Sequence, residues 1–359
     1  MNKNLFNDRW EKTQPEPIGQ GGQGSIYLVK DVHDSTTPEK TFALKKLTNN
    51  KRLLRFKQEI ETILELNKKQ YSGIFPILDY SFDKEPYYFV TEYYGNNILS
   101  KNAPMEVIPA LINFIKICET VSYIHDNNIV HRDLKPDNIV LDDKEQPIIL
   151  DFGLCFNFNL NLNSDTDDDL NDSFRLTQTI EQIGSRFYIP PELENGRTDK
   201  ISKQSDSYTL GKILYFLLTG KTFSRENYDN LATLLNNSQL DYITGRILSK
   251  TVIENVESRL TSANIREEAI KIKRLISGGF YPNKIDSICR FCGEGIYKAV
   301  QSGLLKTSLY PEREPNNKLA SYYLQMTERS LFDSSIPFEA IACNVCGNMQ
   351  FFIINQSDL

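Results

Sequence analysis

Two short runs early in the chain have the make-up of strands. Ser25-Ile26-Tyr27-Leu28-Val29 and Thr41-Phe42-Ala43-Leu44-Lys45-Lys46-Leu47 are apolar and β-prone, and too short for helices. The period then changes. Phe56, Ile60, Ile63, Leu64 and Leu66 recur at helical spacing, which predicts one helix with Glu59 beside its apolar stripe. Residues 13–91 therefore read as a small β-rich lobe carrying one helix. Farther on, Cys118 lies in an apolar helical stretch. Asp206-Ser207-Tyr208-Thr209-Leu210-Gly211 opens a strongly apolar helix through Leu218, interrupted by Lys212, and a further helix is expected around 263–276. Residues 96–278 are predicted to form a helical lobe, and residues 1–12 a polar lead. Beyond about 280, the strand-like runs 296–300 and 349–354 predict a separate small domain over 281–357.

Composition narrows this picture. The 359 residues, 40% hydrophobic, suffice for packed cores in about two domains. A formal net charge of −6 argues against a dominant nucleic-acid or anionic-membrane surface. No uncharged apolar run reaches the roughly 18 residues of a membrane span. No apolar signal core follows Met1-Asn2-Lys3-Asn4. The expectation is a cytoplasmic protein, without nucleic acid or membrane as partners. There are no internal repeats and no sustained heptads.

The chemistry concentrates in one stretch, His131-Arg132-Asp133-Leu134-Lys135-Pro136-Asp137-Asn138. It sets an Asp able to orient a hydroxyl five residues before an Asn able to bind a metal, with a Lys between them. Thirteen residues after Asn138 comes Asp151-Phe152-Gly153. Upstream, Gly19-Gln20-Gly21-Gly22-Gln23-Gly24 precedes a strand instead of opening a helix. Ala43-Leu44-Lys45 follows about twenty residues later, and Gly184-Ser185-Arg186-Phe187-Tyr188-Ile189-Pro190-Pro191-Glu192 lies downstream. This order and spacing resemble the eukaryotic-type (Hanks-type) serine/threonine protein kinase family. The fold that the resemblance implies is α+β and bilobal, a β-rich lobe (13–91) and a helical lobe (96–278) forming one kinase domain over 13–278.

The same resemblance implies roles. Gly19, Gly21 and Gly24 would cover the phosphates of ATP, with Ile26 and Ala43 beside the nucleotide. Lys45 would hold the α/β-phosphates, positioned by Glu59; the competing reading is a solvated Glu59, with Lys46 and Glu61 as the alternative assignments. Thr91-Glu92-Tyr93-Tyr94-Gly95 would be the hinge that binds adenine, with Thr91 opening a back pocket and Glu92 and Tyr94 offering backbone groups. Asn138 and Asp151 would hold Mg²⁺. Asp133 would orient the acceptor hydroxyl and Lys135 would steady the γ-phosphate. Lys135 and Ser185 point to Ser/Thr acceptors on protein substrates. Glu192 would pair with Arg259. Asp206 would hold the catalytic-loop backbone, or serve as an ordinary helix N-cap. His131 is expected to pack and hydrogen-bond; His33 and His125 show no partner spacing. Arg132 needs an anion, for which Glu181 and a phosphorylated Thr177 or Thr179 compete. Cys155 reads as inert more readily than as reactive.

A second signal follows the helical lobe. Cys289-Arg290-Phe291-Cys292-Gly293 and Cys343-Asn344-Val345-Cys346-Gly347 are two Cys-x-x-Cys-Gly knuckles that together suit tetrahedral Zn²⁺. The arrangement resembles a zinc ribbon, although 50 residues separate the knuckles where about 15–20 is usual. Unligated thiols and redox pairs are the alternatives. A zinc module would offer a site for a regulatory protein partner. Other classes stay in view, namely a pseudokinase-like scaffold whose zinc module is the main binding surface and a small-molecule phosphotransferase.

Overall fold

Alternation along three strands decides which side chains meet a ligand. The computed structural model describes residues 5–21, 24–37, 39–161, 187–196 and 200–277, and the backbone of three later strands, 297–306, 335–343 and 349–353. By compactness the chain divides into two units, Met1–Ile270 and Lys271–Leu359.

The first unit opens with a seven-stranded antiparallel sheet. Its strands are β1 (Leu5–Phe6), β2 (Trp10–Lys12), β3 (Gly19–Gln20), β4 (Gly24–Asp31), β5 (Phe42–Leu47), β6 (Ile77–Ser81) and β7 (Tyr88–Glu92), in the order β1-β2-β4-β5-β7-β6 with β3 on β4. Side chains two apart share a face. Ile26, Ala43, Lys45, Phe89 and Thr91 line a cleft on one face. Val29, Phe42, Leu44, Tyr88 and Val90 build a core on the other.

Residues 5–12 are not the detached polar lead that their composition suggests. Phe6 and Trp10 are buried in that outer core. Trp10 Nε1 donates to Asp79 at 2.7 Å, and Arg9 covers the indole while bonding Asp31. Two aromatic residues anchored in this way outweigh their polar neighbours.

Helix α1 (Leu53–Asn67) packs on the cleft side of the sheet, burying Phe56, Ile60, Ile63 and Leu66 together with Glu59. The helical lobe is built on α2 (Val107–Asp126), α3 (Lys203–Thr219) and α4 (Ser262–Ser277). Helix α2 is long and apolar enough to cross a membrane by length and composition, yet Leu111, Phe114, Ile117, Val121 and Ile124 on it are buried in the lobe. In α3 the helix begins at Lys203 with Ser202 as N-cap, so Asp206 lies inside the first turn and is not the N-cap.

Among its described residues the second unit holds an antiparallel sheet of β12 (Tyr297–Lys306), β13 (Ser335–Cys343) and β14 (Met349–Ile353). Tyr297 pairs opposite Cys343, and Met349 opposite Ala342. Cys289, Cys292 and Cys346 lie outside the described residues, and Cys343 is described by its backbone alone. Ser164–Asp172, Thr177, Thr179, Glu181 and Ser185 lie outside them too.

Candidate active site

A short hairpin explains the spacing between Asn138 and Asp151. Strands β9 (Ile139–Leu141) and β10 (Pro147–Ile149) pair with Ile139 opposite Ile149, and Leu150 N donates to Asn138 O at 2.7 Å. The residues just before and just after the hairpin therefore emerge together. A second pairing, β8 (Ile129–Val130) with β11 (Phe156–Asn157), sets 131–133 beside the start of the segment that follows Asp151. The loop, the hairpin ends and the sheet face share one cleft of about 500 Å³.

Asp206 anchors the loop from beneath. Its carboxylate accepts His131 N and Arg132 N, each at 2.9 Å, and His125 Nε2 lies 2.9 Å from Oδ2. The other His125 ring nitrogen meets Ser262 Oγ at 3.0 Å. Burial works against the Asp206 carboxylate, but the His125 hydrogen bond and the backbone and histidine partners hold it below the usual carboxylate range. This grip maintains Arg132 at a positive φ of 68°, a conformation that L-residues other than glycine rarely adopt. Burial, reinforced by Arg55, lowers the Arg132 guanidinium to about 10. His131 bonds Leu150 O at 3.1 Å and meets the Phe152 ring edge-on, the packing role expected of it. His125 had no signal in the sequence, because its partners lie 81 and 137 residues away.

Asp133 Oδ2 receives Lys135 Nζ and Asn138 Nδ2, both at 3.0 Å, and Asn138 Nδ2 also reaches Asp133 O at 2.8 Å. Burial raises the Asp133 carboxyl above its ordinary value, while the Lys135 ammonium pulls it back. Committing the Asn138 amide nitrogen to Asp133 leaves its amide oxygen as the acceptor for a cation.

Across the cleft, Lys45 Nζ donates to Glu59 Oε1 at 2.6 Å and to Asp151 Oδ1 at 3.2 Å. Strand alternation aims Lys45 into the cleft, and the apolar stripe of α1 turns the Glu59 face onto the sheet. Burial opposes charge on Lys45, but Asp151 and Glu59 outweigh it, so the ammonium is held charged. The same Lys45 charge lowers Asp151. The Asp151 side chain remains 47% exposed, open to a ligand. Lys46 and Glu61 take no part in this pair.

The cleft is roofed by Ile18, Gly21, Gly24 and Ile26, and backed by Thr91 to Gly95. Gly19 adjoins this roof on β3, and Gly24 opens β4. A side chain at Gly24 would collide with Lys46 O on the neighbouring strand, so packing within the sheet demands this glycine. Glu92 bonds Lys40 at the rim. Tyr94 lines the cleft, its hydroxyl pushed up by burial.

Below the cleft, Arg259 forms a bidentate pair with Glu192, at 2.7 and 2.9 Å. Burial raises the Cys155 thiol to about 12, the mark of an inert cysteine. Among the described residues, no three His, Cys, Asp or Glu side chains gather as a metal site. Within the cleft Asn138 and Asp151 offer a pair of hard oxygen donors, the sparse set that magnesium takes when phosphates and water complete its shell.

A family model described as "Protein kinase domain" matches residues 13–277. Among curated proteins, the chain is 29% identical over 256 residues to serine/threonine-protein kinase PrkC of Bacillus subtilis, covering 70% of this chain and 36% of that protein. It is 24% identical over 285 residues to serine/threonine-protein kinase PknB of Mycobacterium leprae, covering 74% and 43%. It is 26% identical over 288 residues to serine/threonine-protein kinase D of Synechocystis, covering 77% and 54%. The chain thus spans from about a third to about half the length of these relatives.

Proposed function

The chain belongs to the protein kinase family, and on that premise we propose that it transfers the γ-phosphoryl group of ATP to Ser or Thr hydroxyls of protein substrates. One observation carries the reading. Lys45 is bridged between Glu59 and Asp151 on one wall of the cleft, while Asp133 is fixed by Lys135 and Asn138 on the other.

In this reading the adenine lies against Ala43 and the backbone of Glu92 to Tyr94. The held charge of Lys45 suits the α/β-phosphates. Asp133 orients the acceptor hydroxyl and takes its proton as the bond to phosphorus forms. Lys135, already on Asp133, follows the transferred group. Asn138 and Asp151 would hold Mg²⁺, whose charge offsets the negative charge gathering between the phosphates. Such a site acts by positioning and fixed electrostatics, with little covalent work by the protein. The choice of Ser/Thr is supported by Lys135 and by the relatives, which are serine/threonine-protein kinases.

The test is identification of the phosphorylated residue. Radiolabelled ATP, Mg²⁺ and a generic acceptor protein should yield phosphoserine and phosphothreonine. Label found only on tyrosine, or only on small metabolites, would contradict the proposal.

We further propose that Cys289, Cys292, Cys343 and Cys346 bind one Zn²⁺ as a ribbon-like module over 281–357, a docking site for a regulatory protein. The sheet register supports it. Tyr297 opens β12 opposite Cys343, where β13 ends, and Met349 opens β14 opposite Ala342. In sequence, both knuckles therefore adjoin one end of the sheet. Metal analysis of the purified chain should find one zinc per molecule, lost in Cys343→Ser; full retention by that variant would refute the ligand set.

A further inference from the structure

Helix α3 carries a lysine among its buried apolar residues. Lys212 is 4% exposed, between Gly211 and Ile213. Among the described residues no carboxylate forms an ion pair with it. Its ammonium donates instead to the backbone carbonyls of Phe187 at 2.5 Å and Phe223 at 3.1 Å. The rings of Phe223 and Tyr208 lie 4.5 and 5.1 Å from the nitrogen. Burial lowers this ammonium to about 8, against the more distant Glu226 and Glu194, with Arg225 adding to the lowering. A buried cation without an anionic partner is an expensive residue in a helix that otherwise packs by apolar surface. What it supplies in return is a tie between two stretches of backbone.

One of those stretches faces the cleft. Thr209, one turn before Lys212, donates to Tyr188 O at 3.1 Å. The consecutive carbonyls of residues 187 and 188 are thus held from a single helix face. Farther along that face, Ser205 Oγ bonds Glu192 at 3.0 Å. Ile189, between these anchors, and Leu193, just past the last of them, line the cleft that also contains Asp133 and Lys135. Phe187 stays 38% exposed while Tyr188 is buried. The nucleotide side of the cleft is made by the sheet and residues 91–95, so segment 187–193 stands on the side from which a protein hydroxyl must approach Asp133.

We propose that Lys212, with Thr209 as its second anchor, is a positioning residue for the protein acceptor. It fixes Phe187–Ile189 as the wall against which residues flanking the phosphorylated Ser or Thr are seated. The inference rests on the phosphoryl-transfer reading and concerns how this wall is held from α3. Neither residue touches the reacting atoms; both act through the backbone that they hold.

The experiment is steady-state kinetics of the full chain with the protein acceptor and ATP varied separately. Lys212→Met should raise the acceptor KM about tenfold, the scale of a lost charge-assisted hydrogen bond, with the ATP KM unchanged. Lys212→Arg should recover part of the loss, because a guanidinium also donates to two carbonyls. A folded Lys212→Met protein with wild-type acceptor KM overturns the inference, and so does an equal rise in both KM values, which would mean general loosening. If Lys212→Met does not fold, Thr209→Val keeps the side-chain shape and is read by the same split; an unchanged acceptor KM there is equally fatal. Wild-type protein that phosphorylates no protein acceptor overturns the phosphoryl-transfer reading and this inference with it. An active wild type with an indifferent Lys212→Met overturns this inference alone.

Discussion

Asp133 holds two opposed influences that kinetics can separate. Burial raises its carboxyl and the Lys135 ammonium lowers it. In the proposed reaction Asp133 accepts the hydroxyl proton and works only when ionised, so the rate should fall as pH drops through its raised value. The acid limb of kcat/KM should therefore lie above the value of about 3.9 for a free aspartate. Removing the ammonium in Lys135→Met should move the limb of the residual activity to higher pH. A limb that stays or moves down would separate Lys135 from Asp133. Most of the residues at this scale were legible in sequence, because each is tied to a motif with fixed spacing. Lys45 and Glu59, 14 residues apart, were matched by a strand and a helix stripe of the right periods. His125 was not legible. It acts through Asp206 and Ser262, and no local pattern reports a contact across that much chain.

At the scale of elements, the site depends on supports beneath it. Arg259 is buried against Glu192, with side-chain exposures of 0% and 6%. Truncating Arg259→Met leaves the Glu192 carboxylate buried and unpaired, and should lower stability by about 3–5 kcal/mol. Urea unfolding measures it; a loss below about 1 kcal/mol would mean that Glu192 finds another partner. Asp206 adds a pH term. Its folded carboxyl lies below the ordinary range, so its contribution is fully present above the unfolded value near 3.9 and is lost as pH falls below it toward the folded value. Asp206→Asn should therefore unfold more easily at neutral pH and show a shallower loss of stability on acidification below about pH 4. Equal acid slopes in the two proteins would remove Asp206 from that account. The elements themselves were mostly readable from period. The hairpin between Asn138 and Asp151 was read as spacing alone. Strands β1 and β2 were missed, because Asn7, Asp8, Arg9 and Glu11 between and beside Phe6 and Trp10 are polar or charged, and burial of two aromatics decides the matter only in three dimensions.

On the scale of the whole molecule, the chain couples a kinase domain, matched over residues 13–277, to a second unit with a three-stranded sheet. The first was legible in its main motifs, because the family's motifs keep a fixed order along the chain. The second was legible only as knuckles and strand-like runs; β13 (Ser335–Cys343), lying between them, went unread. If zinc holds this unit together, chelation should unfold it while leaving the kinase domain standing, since metal binding and folding are one equilibrium in small metal-bound domains. Calorimetry with and without chelator should show loss of one transition and retention of the other; two unchanged transitions would count against a structural metal. The central claim concerns the cleft, and its most direct test is the initial rate of γ-phosphoryl transfer from ATP to protein Ser/Thr by wild type and Asp133→Ala, each shown by its melting midpoint to be folded. The account expects measurable transfer by wild type and a loss on the order of 10²-fold or more in the variant. Near-equal rates in the two folded proteins would contradict it.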